Sequence, residues 1–353
     1  MIVHSFRCVW CKTSFLTQVA RCSCGSSVQV VYERIPKISW NTLRTRSFGH
    51  WRYAAFLPEA EHLVSLDEGH TPLIGAGKLF FKLEGCNPTG SFKDRGTTVE
   101  VSLTGTKGVV CASTGNMGAS VAAYCARAKR SCTIVLPQHT PEQKIKQIHR
   151  YGAVVKKVRG HYTDAVFFAQ NIARSKKMYL AGDYAYRREG EKTVLFEILD
   201  QLRDVERIIC PMGNGTLISA LWQGIVDFRT AGLIKKIPTL IGVQATGCAP
   251  IAKAFLQQKP VQPVVPQTIA SAVACGDPLD GVLAVQALTQ SKGTVMTITD
   301  TALIRARRTL AAEYGIDAEP AGVLPFAAWQ NMKQHKKTAL VITGNGLKDL
   351  VHV

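Results

Sequence analysis

Lys82-Leu83-Glu84-Gly85-Cys86-Asn87-Pro88-Thr89-Gly90-Ser91-Phe92-Lys93-Asp94-Arg95-Gly96 is the stretch on which the reading of this 353-residue chain turns. The apolar run Leu79 to Leu83 predicts a strand, Asn-Pro-Thr-Gly a turn, and Lys93 the basic start of a helix. A lysine so placed faces the unfavourable end of the helix dipole. If it is desolvated as well, it sheds its proton more readily, which is the condition for attacking an aldehyde. An isolated lysine is more often a surface group, and Asp94 and Arg95 beside it read as a local intrahelical or surface ion pair.

From this strand onward, short apolar runs alternate with longer segments of helical period, the rhythm of a parallel sheet with its covering helices. Strands are expected at 79–83, 108–112, 132–136, 153–158, 178–181, 207–211, 239–244, 294–298 and 338–342. Helices are expected at 117–128, 141–151, 163–175, 191–202, 217–230, 280–289, 300–314 and 321–333. Nothing repeats at a fixed period, which argues against a solenoid or propeller. The alternation predicts a doubly wound α/β architecture, with ligands at the carboxyl ends of strands. Two strand-to-helix turns fit. Ser113-Thr114-Gly115-Asn116 offers small hydroxyls and N–H groups that suit an anion, or that simply cap a helix. Gly213-Asn214-Gly215-Thr216 has the composition of a phosphate cradle, or of a tight connection.

The segment Asn87-Pro88-Thr89-Gly90-Ser91-Phe92-Lys93-Asp94-Arg95-Gly96 resembles the cofactor-lysine segment of pyridoxal-phosphate enzymes of the tryptophan synthase β family, most closely that of the threonine synthases. The likeness continues through Glu68-Gly69-His70-Thr71-Pro72-Leu73, Ser113 to Asn116, the turn at Gly213, Glu319-Pro320-Ala321 and Thr343-Gly344-Asn345-Gly346-Leu347-Lys348-Asp349. It thus runs from about residue 65 to the end, in the family's order. The resemblance implies fold type II, two doubly wound α/β domains. We expect a large domain of 36–88 with 190–353, a small domain of 89–189, and a separate segment of 1–35.

The resemblance also implies roles for individual residues. Lys93 would be the Schiff-base lysine of pyridoxal 5'-phosphate and Asn116 the amide at the cofactor's phenolic oxygen. Gly213, Asn214, Gly215 and Thr216 would cradle the cofactor phosphate. Thr343, which alone reads as a threonine ending a strand, would face the ring nitrogen. A neutral hydroxyl there leaves the ring a weaker electron sink, favouring elimination and replacement over transamination. Ser113, Thr114 and Asn116 would receive the substrate carboxylate. Arg187, in Asp183-Tyr184-Ala185-Tyr186-Arg187-Arg188-Glu189-Gly190, would offer its fork to a substrate phosphate.

The implied reaction is elimination and replacement on a small phosphorylated amino acid, with phosphohomoserine and water giving threonine and phosphate. Ala181-Gly182 stands where the family commonly offers Asn-Ser, and Met117 where a small hydroxyl residue is usual. Each change removes a donor from the leaving-group side. The similar cysteate synthases, which replace the phosphate of phosphoserine with sulfite, therefore stand as the alternative.

Cys8-Val9-Trp10-Cys11 and Cys22-Ser23-Cys24-Gly25 form two cysteine pairs with ten residues between them, which suggests a small zinc knuckle, although the second pair has one intervening residue where two are commoner. The resemblance implies the same, since many threonine synthases begin with a four-cysteine ribbon. A four-thiolate zinc would be structural, and reduced structural cysteines are the other reading. The other seven of eleven cysteines read as small core hydrophobes, and His50, His62 and His70 receive no role.

Lysine and arginine (43) outnumber aspartate and glutamate (25), giving a net charge of +18. That excess attracts polyanions, but the lysines are scattered and no aromatic ladder interleaves them, so a basic solvated surface is expected rather than a nucleic-acid groove. The contrasting class is a basic zinc-knuckle protein that binds nucleic acid through an inactive enzyme-like body. The uncharged spans at 108–126 and 208–226 are broken by Gly, Asn, Ser and Thr and read as strand, turn and helix, not membrane spans. The start of the chain does not read as a secretion signal, so a cytoplasmic enzyme is expected, and a homodimer is one assembly open to it.

Overall fold

A computed structural model describes residues 4–113, 115–138, 140, 142–160, 162–332 and 336–349. In chain order the elements begin β1 (His4–Cys8), β2 (Ser14–Phe15), β3 (Val28–Tyr32), α1 (Trp40–Arg44), β4 (Leu73–Ala76), β5 (Leu79–Leu83) and α2 (Lys93–Leu103). Then come β6 (Gly108–Ala112), α3 (Asn116–Arg127), β7 (Ser131–Pro137), α4 (Glu142–Arg150), β8 (Val154–Val158), α5 (Tyr162–Lys176), β9 (Tyr179–Ala181), α6 (Ala185–Glu191) and α7 (Thr193–Gln201). The chain ends with β10 (Arg207–Pro211), α8 (Thr216–Ala231), β11 (Thr239–Ala245), α9 (Pro250–Gln257), α10 (Gly281–Gln290), β12 (Thr294–Ile298), α11 (Asp300–Tyr314), α12 (Pro320–Gln330) and β13 (Thr338–Ile342).

Every strand expected from Leu79 onward is present. The helix expected at 191–202 is α7, and α1, α2, α6 and α9 add to the expected set. Periodicity misses α2 because its sequence, KDRGTTVEVSL, carries no apolar stripe, yet residues Asp94 to Ser102 are all buried.

The chain divides into two compact units. The first takes the chain up to Arg34, Leu57–Glu68 and Lys93–Gly190; the second takes Ile35–Phe56, Gly69–Phe92 and the chain from Glu191. The chain up to Arg34, from the segment expected to stand apart at 1–35, and the stretch 57–68, expected in the large domain, fall in the first unit. The reason is packing: Val64 and Leu66 lie against the Val101, Val121 and Tyr124 core, and Phe6, Val28 and Val30 against Ala185 and Tyr186.

The first unit holds a parallel sheet in the order β8-β7-β6-β9 and a small antiparallel ribbon, β2-β1-β3. Successive residues of the parallel strands feed opposite faces. Val109, Cys111, Ile134 and Leu136 join one core, while Val110, Ala112 and Val135 join the other. This is the period-two signature of a sheet covered on both sides. The connection from β6 runs through α3 to β7, away from β9, so the carboxyl ends of β6 and β9 flank a topological switch point.

The second unit holds a six-stranded sheet in the order β12-β11-β10-β13-β5-β4, parallel except for β4. Here too Ile208, Cys210, Ala339 and Val341 pack on one face, and Ile209, Leu340 and Ile342 on the other. Burying each of these Ile, Val and Leu side chains contributes about 1.5–3 kcal/mol. From β10 the chain turns through α8 to β11, leaving β13 on the opposite side, so the ends of β10 and β13 flank a second switch point.

Candidate active site

Lys93 opens α2 of the first unit, and its Nζ lies 2.8 Å from Asp183 Oδ1. The two side chains are 14% and 5% exposed. Desolvation and the helix dipole favour an uncharged amine, but a carboxylate at ion-pair distance favours the ammonium. The sequence reading gave no role to this counter-ion, which the structure sets 2.8 Å from the amine. Asp94 and Arg95 do not lie at the surface. Both are fully buried, and Asp94 accepts from Ser120 Oγ at 2.6 Å.

Asp183 follows β9, and Ser113 follows the adjacent β6, so both stand at the switch point of this sheet. Ser113 Oγ accepts from the N–H of Gly118 at 2.9 Å and of Gly115 at 3.3 Å, which caps α3. Asn116 is the first residue of α3, whose N-cap Gly115 supplies no side-chain cap. Thr114 lies outside the described residues.

Arg187 is placed differently from the sequence expectation. It is fully buried, its Nε donates to Gly182 O at 2.9 Å, and its Nη1 donates to Thr97 Oγ1 at 3.1 Å and Lys93 O at 3.3 Å. Its Nη2 pairs with Glu100. The fork that was to grip a substrate phosphate is directed inward, because β9 turns into α6 directly over α2. Gly96 permits the approach, since a Cβ there would lie 2.5 Å from Arg187 Cγ. Burial pushes the Glu100 carboxyl up to about 7, against the lowering pull of Arg187 and of the Gly182 N–H.

In the second unit, the Gly213–Thr216 turn follows β10, and Thr343 follows the neighbouring β13. Gly215 has φ +87°, and a Cβ on it would lie 2.8 Å from Asp280 O and 2.9 Å from Ala284 Cβ. Only glycine fits that turn. The 16-residue α8 begins here without a side-chain cap. The Asn214 side chain is turned aside, its Oδ1 accepting from Cys275 Sγ at 2.6 Å, so the turn offers backbone N–H groups. Thr343 is buried, and its carbonyl accepts from Phe92 N at 3.0 Å.

The family model for pyridoxal-phosphate-dependent enzymes matches residues 64–344. The chain belongs to the pyridoxal-phosphate-dependent enzymes. It is 38% identical to a threonine synthase of Methanocaldococcus jannaschii, over 97% of this chain and 92% of that protein. A threonine synthase of Methanosarcina acetivorans is 34% identical over 98% and 93%, and one of Bacillus sp. is 38% identical over 84% and 89%. Among solved structures, maize serine racemase superposes with a TM-score of 0.69 at 22% identity, covering 78% of this chain and 88% of that one. The processed form of threonine deaminase isoform 2 from Solanum lycopersicum does so with a TM-score of 0.68 at 22% identity, over 78% and 79%. These structures share the fold.

The second-unit turn fits the phosphate of the cofactor that this pyridoxal-phosphate enzyme uses. Thr216 Oγ1 is buried without a hydrogen-bond partner, and the start of α8 favours an anion.

In the ribbon, the sulfurs of Cys8, Cys11, Cys22 and Cys24 all lie within 4.8 Å of one another, with Cys8 to Cys24 and Cys11 to Cys22 each at 3.5 Å. A zinc ion with sulfurs at about 2.3 Å sets them roughly 3.8 Å apart, so the cluster suits a closed four-thiolate site. Of the other cysteines, Cys111, Cys125, Cys132, Cys210 and Cys248 are buried as expected, whereas Cys86 is exposed and Cys275 half-buried. No helix among the described residues is long and apolar enough to cross a membrane.

Proposed function

We propose that this enzyme is a threonine synthase, converting O-phosphohomoserine and water into threonine and phosphate in the cytoplasm. The observation that carries this reading is the near-full-length match to the Methanocaldococcus jannaschii threonine synthase, with Lys93 at the start of a buried helix. Lys93 would hold the cofactor's aldehyde carbon, the N–H groups of Gly213 to Thr216 with the Thr216 hydroxyl its phosphate, Asn116 its phenolic oxygen and Thr343 its ring nitrogen. When bound, pyridoxal phosphate supplies an electron sink for negative charge on the substrate carbons.

The remaining work belongs to side chains. The Ser113 to Asn116 loop and the α3 amino end orient the substrate carboxylate. The Lys93 amine takes and returns protons at the substrate carbons. The neutral Thr343 hydroxyl does not enforce a charged ring nitrogen, which steers the chemistry to elimination and replacement. The four cysteines would hold a structural zinc.

A second reading, replacement of the phosphate of O-phosphoserine by sulfite, is supported by Met117, a buried apolar residue in the first turn of α3 where the family usually offers a small hydroxyl. One assay separates them: phosphate release from O-phosphohomoserine, from O-phosphoserine with and without sulfite, and from O-acetylserine. Threonine formed from the first is the expected result, and release only from O-phosphoserine with sulfite moves the assignment to cysteate. The purified protein should be yellow, and borohydride should fix the cofactor on Lys93. A colourless chain that takes up no pyridoxal phosphate would overturn both.

A further inference from the structure

The switch point of the first unit's sheet carries a carboxylate that the proposed chemistry leaves unused. Asp183 stands after β9, beside the end of β6, with its Oδ1 2.8 Å from Lys93 Nζ. The arrangement around the pair is built. Arg187 lies one helical turn on, with its Nε 3.9 Å from the same oxygen, and the guanidinium also grips Gly182 O and Lys93 O. One strut thus ties the backbone beside the carboxylate to the backbone of the lysine.

Behind it, Glu100 pairs with Arg187 and accepts from Gly182 N–H at 3.3 Å and Tyr179 Oη at 3.4 Å. The other titratable groups here, Tyr179, Tyr184 and the Cys111 thiol, are raised by burial and carry no charge near neutrality. Asp94 is turned to Ser120. Asp183 Oδ1 thus lies between two cations, closer to the Lys93 amine at 2.8 Å than to Arg187 Nε at 3.9 Å.

We propose that Asp183 is the positioning residue of Lys93: it holds the ε-amine as an ammonium while the nitrogen is unattached, and accepts its proton when the nitrogen must be neutral. In that transfer one N–H bond of Lys93 breaks and an O–H bond forms at Asp183 Oδ1, leaving an amine and a neutral acid. No water is needed to carry the proton. The part this plays in turnover rests on Lys93 being the cofactor lysine; the ion pair itself does not.

The test uses the full-length protein freed of cofactor, as wild type, D183N and D183E. The rate of acetylation of Lys93 by acetic anhydride is followed against pH by peptide mass, with the exposed Lys78 as internal standard. Loss of a counter-charge at this distance lowers a lysine pKa by about one unit or more, so D183N should label about tenfold faster or more near neutral pH, with D183E restoring slow labelling. A D183N profile that coincides with wild type, in protein shown folded by circular dichroism, overturns the proposal. The wild type decides the matter if D183N does not fold: its Lys93 midpoint should lie above that of Lys78, and one below it sinks the idea. Borohydride trapping of pyridoxal phosphate on the same proteins is read separately. Failure of trapping in wild type removes the cofactor assignment while the labelling still decides Asp183.

Discussion

Gly215 and Gly232 have nearly the same left-handed backbone, φ +87° and +85°, at the two ends of α8, but different surroundings. Nothing lies within 4 Å of a Cβ at Gly232, whereas one at Gly215 would press on Asp280 and Ala284. Gly232→Ala should therefore cost only the backbone strain, about 1 kcal/mol, and leave cofactor binding alone. Gly215→Ala should cost about 2 kcal/mol or more and weaken pyridoxal phosphate binding. Urea melts and a cofactor titration check this, and equal losses would show that the turn is a mere connection.

Glu100 makes a second prediction at this scale. Its folded pKa, near 7, stands above its unfolded value, so the folded chain keeps a proton that the unfolded chain releases at lower pH. Its contribution is therefore most favourable below the unfolded value of about 4.3 and declines as pH rises toward 7. Melting wild type and Glu100→Gln across that window should show wild type losing ground as pH rises, and parallel curves would refute the assignment.

Between elements, α6 is held from two sides. Toward α2, Gly96 and Gly190 remove the side chains that would separate the backbones. From the ribbon, Gln18 Oε1 accepts from Tyr186 N–H at 2.8 Å, His4 meets Tyr186 Oη at 3.1 Å, Tyr32 bonds Glu189 and Arg188 bonds Val28 O. The ribbon that carries the four cysteines thus braces the helix that carries Arg187. Metal analysis should find close to one zinc per chain. Its removal by a strong chelator should lower the melting temperature while pyridoxal phosphate stays trapped on Lys93. Zinc-free protein with unchanged melting would instead favour plain structural thiols.

Across the whole molecule, the charge of +18 is carried by scattered exposed lysines such as Lys156, Lys157, Lys176, Lys177, Lys235 and Lys236. Attraction of this kind is electrostatic and sequence-independent, so binding to duplex DNA should collapse as salt rises to physiological strength. Fluorescence anisotropy at low and physiological salt tests this, and a salt-insensitive complex with one preferred sequence would restore the nucleic-acid reading.

The alternation of apolar runs determined the sheet strands from Leu79 to Ile342 without help from tertiary structure, because doubly covered strands are apolar on both faces. The Lys93 segment, the turn at Gly213 and Thr343 stand out in the sequence for a related reason: backbone demands and cofactor chemistry confine such positions to a few residue types in a local order. The helical state of α2 was not legible, since a helix buried on every side shows no stripe. Nor were the partners of Lys93 and Arg187, which are distant in sequence. Asp183 is 90 residues from Lys93 and Glu100 is 87 from Arg187. Charge and hydrogen-bond partners depend on which strand ends the topology brings side by side, and that order is decided only when the sheet closes.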